Sequence, residues 1–187
     1  SSSARSSANV EASSFASVAV ATSAPAGATS STTTSRSSDD RYLGLTLGYN
    51  RAVIAERVHD VLSGVALLRT KRGVRGVSLL SAGKAGPSAL LASASSGAAL
   101  RATAIDLGGF DFQQVRRADD PRLLPGSLKY GGLSAFASLC VGPTLVAGLS
   151  EQSNLEALRA RPGVSVRHES ADIEQLIDYL LEHSERP

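Results

Sequence analysis

Residues 83–87 read Gly83-Lys84-Ala85-Gly86-Pro87, a single cation set among small residues. Small neighbours let a backbone turn sharply between a strand and a helix and push the central side chain outward, as an exposed nucleophile requires. The side chain here is an amine. A lysine attacks a carbonyl only when its pKa is lowered, and the acyl product would be a stable amide, so ester hydrolysis through Lys84 is chemically unattractive. The same turn offers a second chemistry. Backbone N–H groups at Gly83, Ala85 and Gly86, with the positive end of the following helix and the charge of Lys84, suit a small anion or a carboxylate. A nucleotide triphosphate does not fit. Gly76 and Gly83 are too widely spaced for a P-loop, and Ala85 stands where a metal-binding hydroxyl belongs. The plain structural alternative is that the glycines serve only close strand–helix packing.

Other reactive side chains are scattered. His59, His168, His183 and Cys140 show no metal-ligand spacing, so neither a metal site nor a cofactor is expected. Asp106, Asp111, Asp119 and Asp120 could gather near strand ends, or serve equally well as caps and solvated turns. Lys129-Tyr130-Gly131-Gly132 could border a pocket, although paired glycines more often mark close backbone approach. His59 is expected on a helix, packed or solvated, and His183 in a solvated C-terminal turn.

The elements that must position these residues begin near Asn50. Ile54, Val58, Val61, Leu62, Val65 and Leu68 recur at helical spacing, and Lys71-Arg72-Gly73 follows with cations and a glycine, so residues 52–69 are read as a helix. Val77 to Ala82 is a compact apolar run before the glycine turn, with Pro87 at a first helical position before Ser88 to Ser95. Further strands are expected at 102–107, 143–148 and 164–167. Helices are expected at 153–161 and after Ser170, which is read as the cap of a final helix carrying Ile173, Leu176, Ile177, Leu180 and Leu181 on one face. The long stretch between the strands at 102–107 and 143–148, with Pro121 and Pro125, is expected to line a site or hold short helices. This alternation predicts an α/β fold, a three-layer open, mainly parallel sheet with flanking helices on both faces. Ligands in such sheets bind beyond the carboxyl ends of the strands.

Composition bounds the remainder. The chain has 187 residues, 42% of them hydrophobic, enough for one core and hardly for two. Residues 1–38 hold fourteen serines and five threonines, a composition that cannot bury enough apolar surface to offset ordering entropy. They are read as a mostly disordered segment ahead of a domain at 39–187, with Phe15 to Thr22 as one β-branched island that could form a strand. The Ser/Ala-rich start also reads like an organelle-targeting or export segment, and the absence of methionine argues for a processed, truncated or partial product. A net charge of +2 without a basic stripe argues against nucleic acid as a partner, and apolar runs short of about 20 residues argue against a membrane span. One cysteine leaves the redox compartment open.

Several short motifs together resemble a known group. Gly48-Tyr49-Asn50-Arg51, Ala55-Glu56-Arg57-Val58-His59-Asp60, the 83–87 turn, and Leu124-Pro125-Gly126-Ser127-Leu128-Lys129-Tyr130-Gly131-Gly132-Leu133 resemble α/β-hydrolase-fold proteins of the acetyl-xylan-esterase-like or prolyl-oligopeptidase-like group known from planctomycete-type bacteria. The likeness covers roughly residues 42–148. It implies a partial α/β-hydrolase sheet with the amino-terminal strands and one oxyanion-hole loop missing. It places Lys84 at the nucleophile position, and sets Glu151, in Gly148-Leu149-Ser150-Glu151, and His168 at the positions of the family's acid and histidine. The implied function is a non-catalytic or weakly active hydrolase-like protein holding a small acyl, sugar or anionic ligand. Two rivals accompany it. One is a serine esterase drawing its nucleophile from Ser81 or Ser88 with His168 as base. The other is an interaction protein or incomplete gene product that self-associates through an open sheet edge.

Overall fold

In a parallel sheet each strand is covered on both faces, so alternate residues of one apolar run must enter two different cores. The computed structural model, which describes residues 16–20, 50–151, 153 and 162–184, shows this arrangement. In chain order its elements are β1 (Ala16–Val20), α1 (Val53–Arg69), β2 (Val77–Ser81), α2 (Gly86–Ser96), β3 (Thr103–Asp106), α3 (Gly132–Ser138), β4 (Thr144–Ala147), β5 (Val164–Val166) and α4 (Ile173–Ser184). The sheet order is β1-β2-β3-β4-β5, and every pairing is parallel. The island expected near Phe15 is thus the first strand. The rest of the segment 1–38 lies outside the described residues, as does nearly all of the helix expected at 153–161.

Val77, Leu79, Ile105 and Val146 face one core with Ile54, Val61 and Val65 of α1, Leu90 of α2 and Leu133 of α3. Leu80, Ala104, Leu145 and Ala147 face the other, under Leu176 and Leu180 of α4. The three-layer expectation therefore holds. The division of helices follows from handedness: each strand pairs with its successor in sequence, and right-handed crossovers stepping in one direction put all their helices on the same face. Among the described helices, α4, after the last strand, covers the other. Among the described strands the order never reverses, so there is no switch-point crevice of the doubly wound kind.

Most boundaries match the expected ones within a residue or two. The final helix differs. It begins at Ile173, and Asp172 is its cap, with Oδ1 accepting the Gln175 N–H at 2.8 Å, in place of Ser170. A carboxylate one residue before the helix satisfies an orphan N–H and complements the dipole, which a serine two residues further out does not do. In the segment between β3 and β4, 3-10 turns at Phe112–Gln114 and Leu128–Tyr130 precede α3. Edge-to-face contacts of Phe112 with Phe110 (5.3 Å) and Phe136 (6.2 Å) pin that segment to the core. His183 stacks on Tyr179 at 4.1 Å in the last turn of α4, with Nδ1 2.9 Å from the Tyr179 carbonyl, where the sequence pattern suggested a solvated turn. Among the described residues no helix is long and apolar enough to cross a membrane.

Candidate functional site

The turn after β2 is built by residues with separate tasks. Ala82 is still extended, Gly83 turns the chain at φ 63°, and Lys84 and Ala85 complete a 3-10 turn that runs directly into α2. Gly86 then brings the helix against the neighbouring strand. A Cβ there would collide with the Asp106 carbonyl oxygen and stand 2.9 Å from Leu107 Cα. Pro87 occupies the first turn of α2, where its missing N–H costs nothing. The left-handed residue is therefore Gly83, one position before Lys84, and no non-glycine residue among those described has a positive φ. The apex of this strand-to-helix turn carries no side chain, and Lys84 follows it, exposed.

An open cleft of about 1270 Å³ lies over this turn. Its near wall is Ala82, Gly83, Lys84, Ala85 and Ser88. Its second wall is α1, where Arg57, Asp60 and Val61 share one face through their i, i+3, i+4 spacing. The third is the loop from Arg117 to Arg122, held by two local forks. Arg117 Nε and Nη2 each donate to the Asp119 carboxylate at 2.8 Å. Arg122 Nε and Nη2 donate to Asp120 at 3.0 and 2.8 Å, and the Arg122 guanidinium lies 4.8 Å from the centre of the Phe110 ring. Hydrogen bonds from Arg117 and from Arg122 hold the Asp119 and Asp120 carboxyls below the ordinary carboxylate range, and Asp120 in turn raises Arg122. Both aspartates are thus committed to their neighbours. Asp106, capping Gly108 N–H at 3.0 Å, and Asp111, taking the Gln113 N–H and the Ser153 hydroxyl at 2.9 Å each, are committed too. The four do not gather, and among the described residues no cluster of three metal-binding side chains exists.

Of the residues singled out in the sequence, Gly83, Lys84 and Ala85 line the cleft, while Gly86 packs beneath it. Glu151 and His168 lie on exposed turns after β4 and β5 and do not line it. With strands about 4.8 Å apart, the end of β4 is roughly 10 Å from that of β2. Backbone closes the space between. Leu107 N–H and Gly109 N–H donate to Ala147 and Gly148 carbonyls at 2.9 and 2.7 Å, and Gly148 N–H donates to Glu169 at 2.9 Å. Only the short stretch 167–172 joins β5 to α4, so His168 stays near its own strand. Ser81 is fully buried with an unpartnered hydroxyl, whereas Ser88 is buried yet reaches the cleft. Arg57, Asp60 and the two forks went unread in the sequence. The spacing of Arg57, Asp60 and Val61 and the local patterns Arg117-Ala118-Asp119 and Asp120-Pro121-Arg122 were the available signals. No protein-family model matches the chain, and no curated protein matches it.

Proposed function

We propose that this protein is an α/β-hydrolase-like, non-catalytic or weakly active module that binds a small acyl, sugar or anionic ligand in the cleft over the turn after β2. The observation carrying this reading is the absence of any side chain at Gly83, the left-handed apex where an elbow enzyme would present its nucleophile. Lys84 beside it is a charged, solvent-facing amine suited to holding a ligand and poorly suited to turning over an ester. A serine esterase using another nucleophile has one feature in its favour, since Ser88 reaches the cleft. A hydroxyl nucleophile needs an adjacent base, however, and no histidine lines the cleft.

The test is p-nitrophenyl acetate hydrolysis together with labelling by a fluorophosphonate probe. Wild type and His168→Ala are expected to give the same background rate and no labelled serine. Turnover lost on His168→Ala, or a label on Ser88 or Ser81, would overturn the reading in favour of the esterase.

A further inference from the structure

Ser88 is only 5% exposed, yet it lines the cleft and its hydroxyl makes no hydrogen bond to any described residue. Some buried hydroxyls of the fold are paired, Ser93 with Thr103 at 3.0 Å, Ser153 with Asp111 at 2.9 Å and Thr144 with the Gly142 carbonyl at 3.2 Å, while that of Ser81 is sealed and unpartnered. Unlike sealed Ser81, this one is open on the side of the cleft. It sits in the first turn of the eleven-residue helix α2, four residues after Lys84, so that the hydroxyl and the ammonium border the same wall.

The charges point the same way. Arg117 and Arg122 are neutralised by their own aspartates. Arg57 and Lys84 have no ion pair among the described residues, and Asp60, one turn along from Arg57, balances only one of them. One positive charge is left over at the positive end of α2. The cleft is also larger than the roughly 300–1,000 Å³ typical of small-molecule sites, and Val61, Ala82, Ala85 and Pro121 supply apolar wall. A bare ion would leave most of it unfilled.

We infer that the cleft takes a small organic oxyanion, a carboxylate or phosphate monoester, whose head is held by the Lys84 ammonium, the Ser88 hydroxyl and the Arg57 guanidinium while its apolar body lies against the cleft wall. This rests on the proposal that the cleft is a ligand site, and adds the class of ligand. Lys84 and Arg57 supply charge, and Ser88 supplies the directional donor that the fold itself does not use.

Calorimetric titration at constant ionic strength tests it, with benzoate, phenyl phosphate and the neutral ester methyl benzoate as probes and chloride as background. Saturable binding is expected for at least one of the two anions and at least tenfold weaker binding for methyl benzoate. Their relative affinity identifies which oxyanion the site prefers. Ser88→Ala and Lys84→Gln should each weaken the preferred anion about tenfold, in line with one lost charge-assisted hydrogen bond. Lys129→Gln, outside the cleft, should change nothing. Circular dichroism and ligand-free melting establish that each variant is folded, and exposed Lys84 keeps the test open even if Ser88→Ala destabilises. Absence of saturable anion binding, or binding that neither variant weakens, overturns the inference. Equal binding of methyl benzoate overturns it too while sparing the small-ligand reading, whereas ester turnover by wild type sinks the non-catalytic reading and leaves anion binding standing.

Discussion

Gly83 and Gly86 are three residues apart and glycine for different reasons. Gly83 needs a left-handed φ and has open space where a Cβ would go. Gly86 has helical angles that any residue adopts, φ −47° and ψ −52°, but its missing side chain lets α2 touch the backbone at the end of β3. Substitutions should separate the two. Gly86→Ala must displace backbone and is expected to cost about 1–3 kcal/mol in urea unfolding. Gly83→Asn should cost less than about 1 kcal/mol, because asparagine tolerates the left-handed region. Equal losses would mean that steric approach at Gly86 is not what the glycine provides. Both glycines stood out in the sequence. Their different reasons did not, because one is a torsion and the other a contact with the end of a strand about twenty residues away.

Among the elements, α4 shows how a boundary is decided. Its apolar face was readable from the spacing of Leu176 and Leu180, both of which are buried. Ser170 and Asp172 were both chemically able to cap it, and the chain settled on Asp172. Asp172→Ala is therefore expected to lower stability by about 1 kcal/mol, and Ser170→Ala to stay within about 0.5 kcal/mol, as read by thermal melting. The reverse order would move the cap. α1 illustrates a different limit. Its helical period was plain, and Ile54, Val61 and Val65 are buried as that period requires. That its adjoining flank, at Arg57 and Asp60, borders the turn after β2 depends on where the helix lies on the sheet.

Across the whole molecule, the loop from Arg117 to Arg122 closes the cleft with ion pairs made inside the loop itself. Asp120 is held below its unfolded pKa chiefly by hydrogen bonding to Arg122, with partial burial opposing this. A carboxylate depressed in the folded state contributes stability above its unfolded pKa and loses it as pH falls through the folded value. The loop is therefore expected to be indifferent to pH between neutrality and about pH 5, and to loosen below about pH 4. Hydrogen exchange of the Arg122 Nε–H checks this. Protection relative to the intrinsic, base-catalysed rate should fall in acid in the wild type, while Asp120→Asn should already show little protection at neutral pH. An acid response that survives in Asp120→Asn would assign the titration elsewhere. The pair is part-buried, with the Arg122 side chain 39% and the Asp120 side chain 16% exposed, but it ties the loop only to itself, so the acid response is expected in the loop more than in global unfolding.

The amino-acid sequence by itself determined the alternation of strands and helices, the turn at residues 83–86 and the inward faces of α1 and α4. Each of these depends on residues within one or two turns of one another, where hydrophobic period and small side chains act directly. Tertiary structure decided the rest: the one-directional strand order that gathers α1, α2 and α3 on one face, the left-handed torsion at Gly83, and the meeting of Arg57, Lys84 and Ser88 around one cleft. Those relations are set by crossover handedness and by packing between segments about thirty residues apart, which local composition does not carry.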